Sequence, residues 1–91
     1  MENILLPTYY SLEVYEEDFD NLIETFESNT PFQNINKGDI FEHRNLKLYN
    51  TIDFNIEELR VSEIKHIIWK IEQDHITHKI MIIVKKSRKT T

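Results

Sequence analysis

Cysteine is missing from this chain of 91 residues, and glycine occurs only once. Without cysteine there are no disulfides, on which small secreted domains usually depend, so we expect a cytoplasmic protein. One glycine cannot build the glycine-rich loops that hold phosphates or dinucleotides. We expect no signal peptide, because the N-terminal residues have neither a basic segment nor a long apolar run. The longest apolar run covers only residues 80–84, whereas a membrane helix needs about 20 residues.

Motifs for catalysis and for metal binding are missing as well. A nucleophile needs a base and an orienting acid around it, and no nucleophile-elbow motif is present. Zinc needs three or four converging ligands, whereas only His75 and His78 are close histidines in the sequence. We therefore expect no enzymatic activity, no catalytic residue, no metal site and no cofactor.

The composition is that of a globular protein, with 40% hydrophobic and 30% charged residues. Abundant isoleucine, asparagine and lysine with no alanine is typical of AT-rich coding, which favours a bacterial, phage or mobile-element source. The net charge is −5, but every lysine and arginine lies after residue 36. The length allows one domain. We predict a globular domain over residues 1–84 and a basic, disordered tail over residues 85–91.

Two elements are predicted in the N-terminal half. Alternation of Tyr10, Leu12 and Val14 with polar residues predicts a strand over residues 8–16. A helix is predicted over residues 19–28, with Asp18 as its N-cap. Its apolar stripe has the spacing i, i+3, i+4 and i+7. The residues of the stripe are Phe19, Leu22, Ile23 and Phe26.

The middle of the chain contains its only glycine. The Lys37-Gly38-Asp39 turn leads into a predicted strand over residues 39–43, and a second short strand is predicted over residues 45–49. This turn resembles the first turn of many SH3-like and PUA-like barrels. The resemblance implies a small barrel and no particular binding residue.

Residues 59–72 fit both a helical stripe and a strand rich in β-branched residues. Because residues 77–86 are strand-like, we favour a hairpin whose four-residue turn pairs Trp69 with Ile80. The predicted class is α+β, with the order β-α-β-(β)-β-β. One N-terminal amphipathic helix packs on a small, strongly bent, mostly antiparallel sheet or partly closed β-barrel. Trp69 is expected to be buried against the stripe of the helix.

Acidic residues are concentrated around the predicted helix. They predict a solvated face that supports the helix dipole, or an acidic patch for a basic partner. Glu24 and Glu27 are expected to be exposed. The predicted patch consists of Glu16, Glu17, Asp20, Glu24 and Glu27.

Both faces of the predicted hairpin are largely apolar, and one helix covers only one of them. The second face is expected to pair with another protein or with a second copy in a two-fold dimer. The alternative is a closed, monomeric barrel. The predicted apolar interface consists of Ile64, Ile68, Met81 and Ile83.

These features favour a small, non-enzymatic protein-binding module that has no membrane contact. The alternative is a small barrel that binds single-stranded nucleic acid through its basic tail and exposed aromatic residues. The basic residues of the tail are Lys85, Lys86, Arg88 and Lys89, and the candidate aromatic residues are Tyr9, Tyr10, Tyr15, Tyr49 and Trp69.

Overall fold

A mixed sheet of four strands dominates the described part of the chain. The computed structural model describes residues 5–43 and 46–89. The strands are β1 (Thr8–Glu16), β2 (Leu22–Ser28), β3 (Glu57–Ile71) and β4 (His75–Arg88), in the sheet order β2-β1-β4-β3. β1 is antiparallel to β2 and parallel to β4, and β3 and β4 form an antiparallel hairpin. The sheet is open, with β2 and β3 at its edges, so the predicted α+β class and the barrel are wrong.

The N-terminal helix predicted over residues 19–28 is also wrong, because most of this segment is β2. Phe26 lies opposite Leu12, and Thr25 lies opposite Glu13. The helical spacing of the apolar residues is present, but the segment is rich in β-branched and aromatic residues, which favour strands. A helix of about ten residues is only marginally stable by itself. Pairing with β1 therefore decides its conformation.

A tight turn joins β1 to β2 and uses the residues that were predicted to start the helix. Asp18 Oδ1 accepts a hydrogen bond from Asp20 N at 2.9 Å, which forms an Asx turn rather than an N-cap. Glu16 N donates to Asn21 O at 3.0 Å and closes the turn. Glu17 has a φ of 72°, in the left-handed region. The short polar side chains that cap helices also stabilise such turns, and the sequence alone does not distinguish the two.

The hairpin of β3 and β4 is confirmed, but its predicted register is wrong. Ile71 pairs with His75 across a turn of three residues, 72–74, and Trp69 pairs with Thr77 rather than with Ile80. This is a shift of three residues. Because side chains alternate between faces, an odd shift changes which residues of β3 share a face with which residues of β4.

One face of the sheet, which we call the covered face, carries the hydrophobic core. Residues 29–43 and 46–56 cross this face, and Leu46 and Leu48 anchor them. The predicted strand over residues 45–49 is instead the short helix α1 (Lys47–Thr51), and residue 45 lies outside the described residues. The buried carboxylate of Glu16 accepts a hydrogen bond from Leu48 N at 3.2 Å and holds this helix on the sheet. The buried core residues are Leu12, Val14, Leu46, Leu48, Leu59, Val61, Ile80, Ile82 and Val84.

The strand predicted over residues 39–43 is reduced to one bridge between Ile40 and Arg60. Gly38 N donates to Val61 O at 2.7 Å, and Val61 N donates to Asp39 O at 2.8 Å. Gly38 has a φ of 93°, which favours glycine. Residues 38–41 therefore cover the outer edge of β3 at its start only.

The basic segment that was predicted as a disordered tail forms the end of β4 as far as Arg88. Lys85 pairs with Arg60, and Arg88 pairs with Glu57. Residues 90–91 of the predicted tail and residues 1–4 of the predicted domain lie outside the described residues. In the part of the chain that the structure describes, no helix is long and apolar enough to cross a membrane.

Candidate functional site

The five residues of the predicted acidic patch do not form one surface. Glu16 is buried and bonded to α1, so it is not available to a partner. Glu17 and Asp20 lie in the exposed turn between β1 and β2. Glu24 is half-buried and Glu27 is exposed. Because Glu24 and Glu27 are three residues apart in one strand, their side chains point to opposite faces.

The four residues of the predicted apolar interface also lie on different faces. Ile64, which pairs with Ile82, lies on the covered face together with Ile68. Met81 and Ile83 lie on the other face of the sheet, which we call the uncovered face. Only Ile68 of the four is exposed. The four residues were predicted on one face, and the three-residue shift in register places them on two.

The second half of β3 has an open edge. Val84 O accepts a hydrogen bond from Glu17 N, so the backbone groups of Val84 point toward β1 and away from β3. Every second residue of β4 is oriented in the same way. The β3 residues opposite them therefore direct their N–H and C=O groups outward, away from the sheet. These residues are Ile64, His66, Ile68 and Lys70.

Large apolar side chains line this open edge. Ile68 is 65% exposed, Ile71 is 38% exposed and Trp69 is 36% exposed. The prediction that Trp69 is buried against a helix is wrong, because that helix does not form. Within residues 5–43 and 46–89, no backbone group bonds to the outer side of β3 beyond Val61. Among the described residues, this part of β3 therefore combines exposed apolar side chains with backbone groups that bond to no other strand, a combination that is suited to strand addition.

A polar network lies on the uncovered face. Tyr15 OH donates a hydrogen bond to Glu13 Oε1 at 2.7 Å, and Lys79 Nζ lies 3.4 Å from Glu13 Oε2. Burial, the hydrogen bond to Glu13 and the negative charge of Glu13 raise the pKa of Tyr15 to about 12. Lys79 Nζ also lies 5.7 Å from the centre of the Trp69 ring. The network stabilises this face and connects it to the open edge.

Two histidines meet on the covered face near the hairpin turn. His66 Nδ1 lies 3.0 Å from His78 Nε2, and the ring of Tyr10 packs against His78 at 5.9 Å between ring centres. They border a cavity of about 400 Å³ between the sheet and residues 31–36. Among the described residues, no group of three or more His, Cys, Asp or Glu side chains is arranged to hold a metal ion.

The basic residues lie at the opposite end of the hairpin. Lys85 and Lys86 border a shallow cavity together with Lys37 and Arg60. Arg60 forms an ion pair with Glu58, and Lys37 lies 3.6 Å from Glu63. Two of these four cations are therefore already paired with acids of β3, which reduces the positive charge offered to a phosphate.

Sequence reasoning missed the open edge, the histidine pair and the polar network. The assumed hairpin register separated His66 from His78, whereas a three-residue turn would have placed them diagonally across the two strands. The spacing of Glu13 and Tyr15 put both on one face, which was a usable indication of their contact. The open edge depends on the sheet order, for which the sequence gives no signal.

Comparison of the chain with protein-family models, with curated proteins and with solved structures gave no significant match.

Proposed function

We propose that this protein is a non-enzymatic, cytoplasmic protein-binding module that takes up a partner strand on the open edge of β3. The observation that carries this proposal is the outward direction of the backbone groups of every second residue from Ile64 to Lys70. Strand addition uses such groups for affinity and alternate side chains for specificity.

The side chains around the edge support this proposal. Sheet edges in monomeric proteins are usually short, covered, or interrupted by proline or a bulge. In β3 the bulge lies between Val61 and Glu63, where the cover by residues 38–41 ends. Beyond it the edge is regular and contains no proline, and Lys65 and Lys70 are its only lysines. Adding a strand would bury part of Ile68, Trp69 and Ile71.

The partner that the edge favours is a second copy of this chain. If a two-fold axis perpendicular to the sheet relates the two copies, each face of the sheet continues from one copy to the other. The two β3 strands then form an antiparallel pair centred on Ile67, in which residues of the same face lie opposite each other. In this register Lys65 of one copy lies opposite Trp69 of the other, which allows a cation–π contact. His66 lies opposite Ile68. Like charges directly opposite each other would weaken the pair, and this register places none in that position.

Sedimentation of the wild-type chain and of Ile68→Pro tests this proposal. The N–H of Ile68 points outward, so proline removes a donor from the open edge without removing a bond to β4. We expect the wild-type mass to be twice the chain mass of 11.0 kDa, and Ile68→Pro to be a folded monomer by circular dichroism. Ile68→Thr, which keeps the N–H and the strand preference at the same position, is the matched control and should remain more dimeric than the proline variant.

Two outcomes would contradict the proposal. A wild-type chain that stays at 11.0 kDa up to about 200 µM would exclude a self-pairing stronger than a weak encounter. A dimer that survives Ile68→Pro and dissociates instead on Phe26→Lys would place the interface on β2. Phe26 is 38% exposed on that strand, so its substitution tests the other edge of the same sheet.

Nucleic-acid binding is the alternative function. The residues that favour it are Lys85, Lys86 and Arg88 at the end of β4 and Lys89 directly after it. A labelled single-stranded oligonucleotide at low salt tests it by fluorescence anisotropy. Binding that weakens steeply with salt and on Lys85→Ala/Lys86→Ala would favour this alternative. No binding at low salt would remove it.

A further inference from the structure

The histidine pair is built by two neighbouring strands. His66 pairs with Ile80 in the sheet, and His78 pairs with Ile68, so the two histidines lie diagonally on the covered face. Their nitrogens are 3.0 Å apart and their ring centres are 5.3 Å apart. These two distances mean that the rings meet nitrogen to nitrogen, with one ring as donor and the other as acceptor.

The cavity beside the pair offers further oxygen atoms. Gln33, Asn34, Asn36 and Tyr10 line this cavity, and their side chains carry amide and phenol oxygens. Among the described residues that line this cavity there is no lysine or arginine. No fixed positive charge at the cavity wall therefore opposes a cation.

We infer that His66 and His78 form a binding site for a divalent transition-metal ion such as Co²⁺, Ni²⁺, Cu²⁺ or Zn²⁺. These ions prefer imidazole nitrogen, whereas Mg²⁺ and Ca²⁺ prefer oxygen. Two further ligands complete the tetrahedral coordination, and water molecules and the side-chain oxygens of the cavity are the groups that would supply them. The inference concerns a single chain and does not depend on strand addition.

The required movement of the rings is small. Two bonds of about 2.0–2.1 Å at a tetrahedral angle place two ligand nitrogens about 3.4 Å apart. The rings therefore separate by about 0.4 Å on binding. One of the two facing nitrogens carries the proton of the hydrogen bond between the rings. This nitrogen can bind a metal ion only after its proton has moved to the other nitrogen of the same ring. Exchange of the proton with solvent provides this step.

His75 provides a matched control in the same strand, three residues before His78. Its Nδ1 lies 2.6 Å from Asp74 Oδ2, and its ring packs edge-on against Tyr9. His75 thus lies in the same part of the sheet but contacts a carboxylate instead of a second histidine, so its replacement should leave the pair intact.

Titration with Co²⁺ tests the site, because cobalt bound by imidazole gives visible absorption bands. Isothermal calorimetry with Zn²⁺ gives the stoichiometry. We expect one ion per chain, at least a tenfold loss of affinity in His66→Ala and in His78→Ala, and unchanged affinity in His75→Ala. Circular dichroism verifies that each variant is folded.

The measurement is made on the wild type at protein concentrations below and above the concentration at which dimers form, which separates this site from dimer formation. Unchanged cobalt binding in the His66→Ala/His78→Ala double variant would overturn the inference, as would an equal loss in His75→Ala. No saturable binding by the folded wild type up to about 1 mM metal, which corresponds to less than about 4 kcal/mol of binding free energy, would also overturn it.

Discussion

Replacement of Tyr15 by phenylalanine tests the polar network on the uncovered face. The side chain is only 7% exposed, and its hydroxyl donates to Glu13 Oε1 at 2.7 Å. Burial is the largest cause of the raised pKa of Tyr15, about 12, followed by the hydrogen bond to Glu13 and its negative charge. Ionisation of Tyr15 would place a second negative charge beside Glu13, whose other carboxylate oxygen lies 3.4 Å from Lys79 Nζ.

The direction of the pH effect follows from this pKa. The pKa of tyrosine in an unfolded chain is about 10. Because the folded state holds the proton more tightly, its extra stability is complete below about pH 10 and is lost as the pH rises toward 12. The difference between the two pKa values corresponds to about 2–3 kcal/mol of unfolding free energy, of which about half is lost by pH 11.

Urea unfolding at about pH 9 and about pH 11 measures this effect. We expect the wild type to lose about 1–1.5 kcal/mol more stability between these pH values than Tyr15→Phe does. The rest of the chain is identical in the two proteins, so the difference isolates Tyr15. Tyr9→Phe, which changes an exposed tyrosine of the same strand and face, should behave like the wild type. The same loss in Tyr15→Phe as in the wild type would refute the argument.

The remaining predictions concern the core and the hairpin turn. Ile82 is fully buried and Trp69 is 36% exposed, so Ile82→Ala should reduce the unfolding free energy by about 3–4 kcal/mol and Trp69→Ala by only about 1–2 kcal/mol. Trp69 fluorescence should accordingly be partly quenched by a soluble quencher, and complete protection would contradict the structure. Glu72 has a φ of 47° in the turn, so Glu72→Gly should raise the unfolding free energy by about 0.5 kcal/mol, whereas Gln73→Gly at the next position should not.

Local patterns predicted the elements in which pattern and environment agree. Alternation of Leu12 and Val14 with polar residues identified β1, because one face of that strand is covered and the other is not. Continuous β-branched residues identified β4, which is paired on both sides. The hairpin of β3 and β4 was predicted from the same preference, although its turn was one residue too long.

The error at β2 shows where local patterns are insufficient. The spacing of Leu22, Ile23 and Phe26 is that of a helical stripe, and Asp18 is a suitable helix cap. All four residues nevertheless belong to the hairpin that β2 forms with β1. The free energy that decides between the two comes from backbone pairing and from side chains of another segment. A sequence pattern read over ten residues contains no information about this pairing free energy.

The candidate site depends still more on tertiary structure. The sequence by itself determined that His66, Ile68 and Trp69 lie in a strand-forming segment next to a turn. Only the fold decided that β3 is an edge strand, because β4 lies between β1 and β3 and, in the described residues, no other strand of the sheet pairs with the outer side of β3. Only the register decided that His66 meets His78, because side chains alternate with a period of two and a shift of three residues moves a histidine to the opposite face.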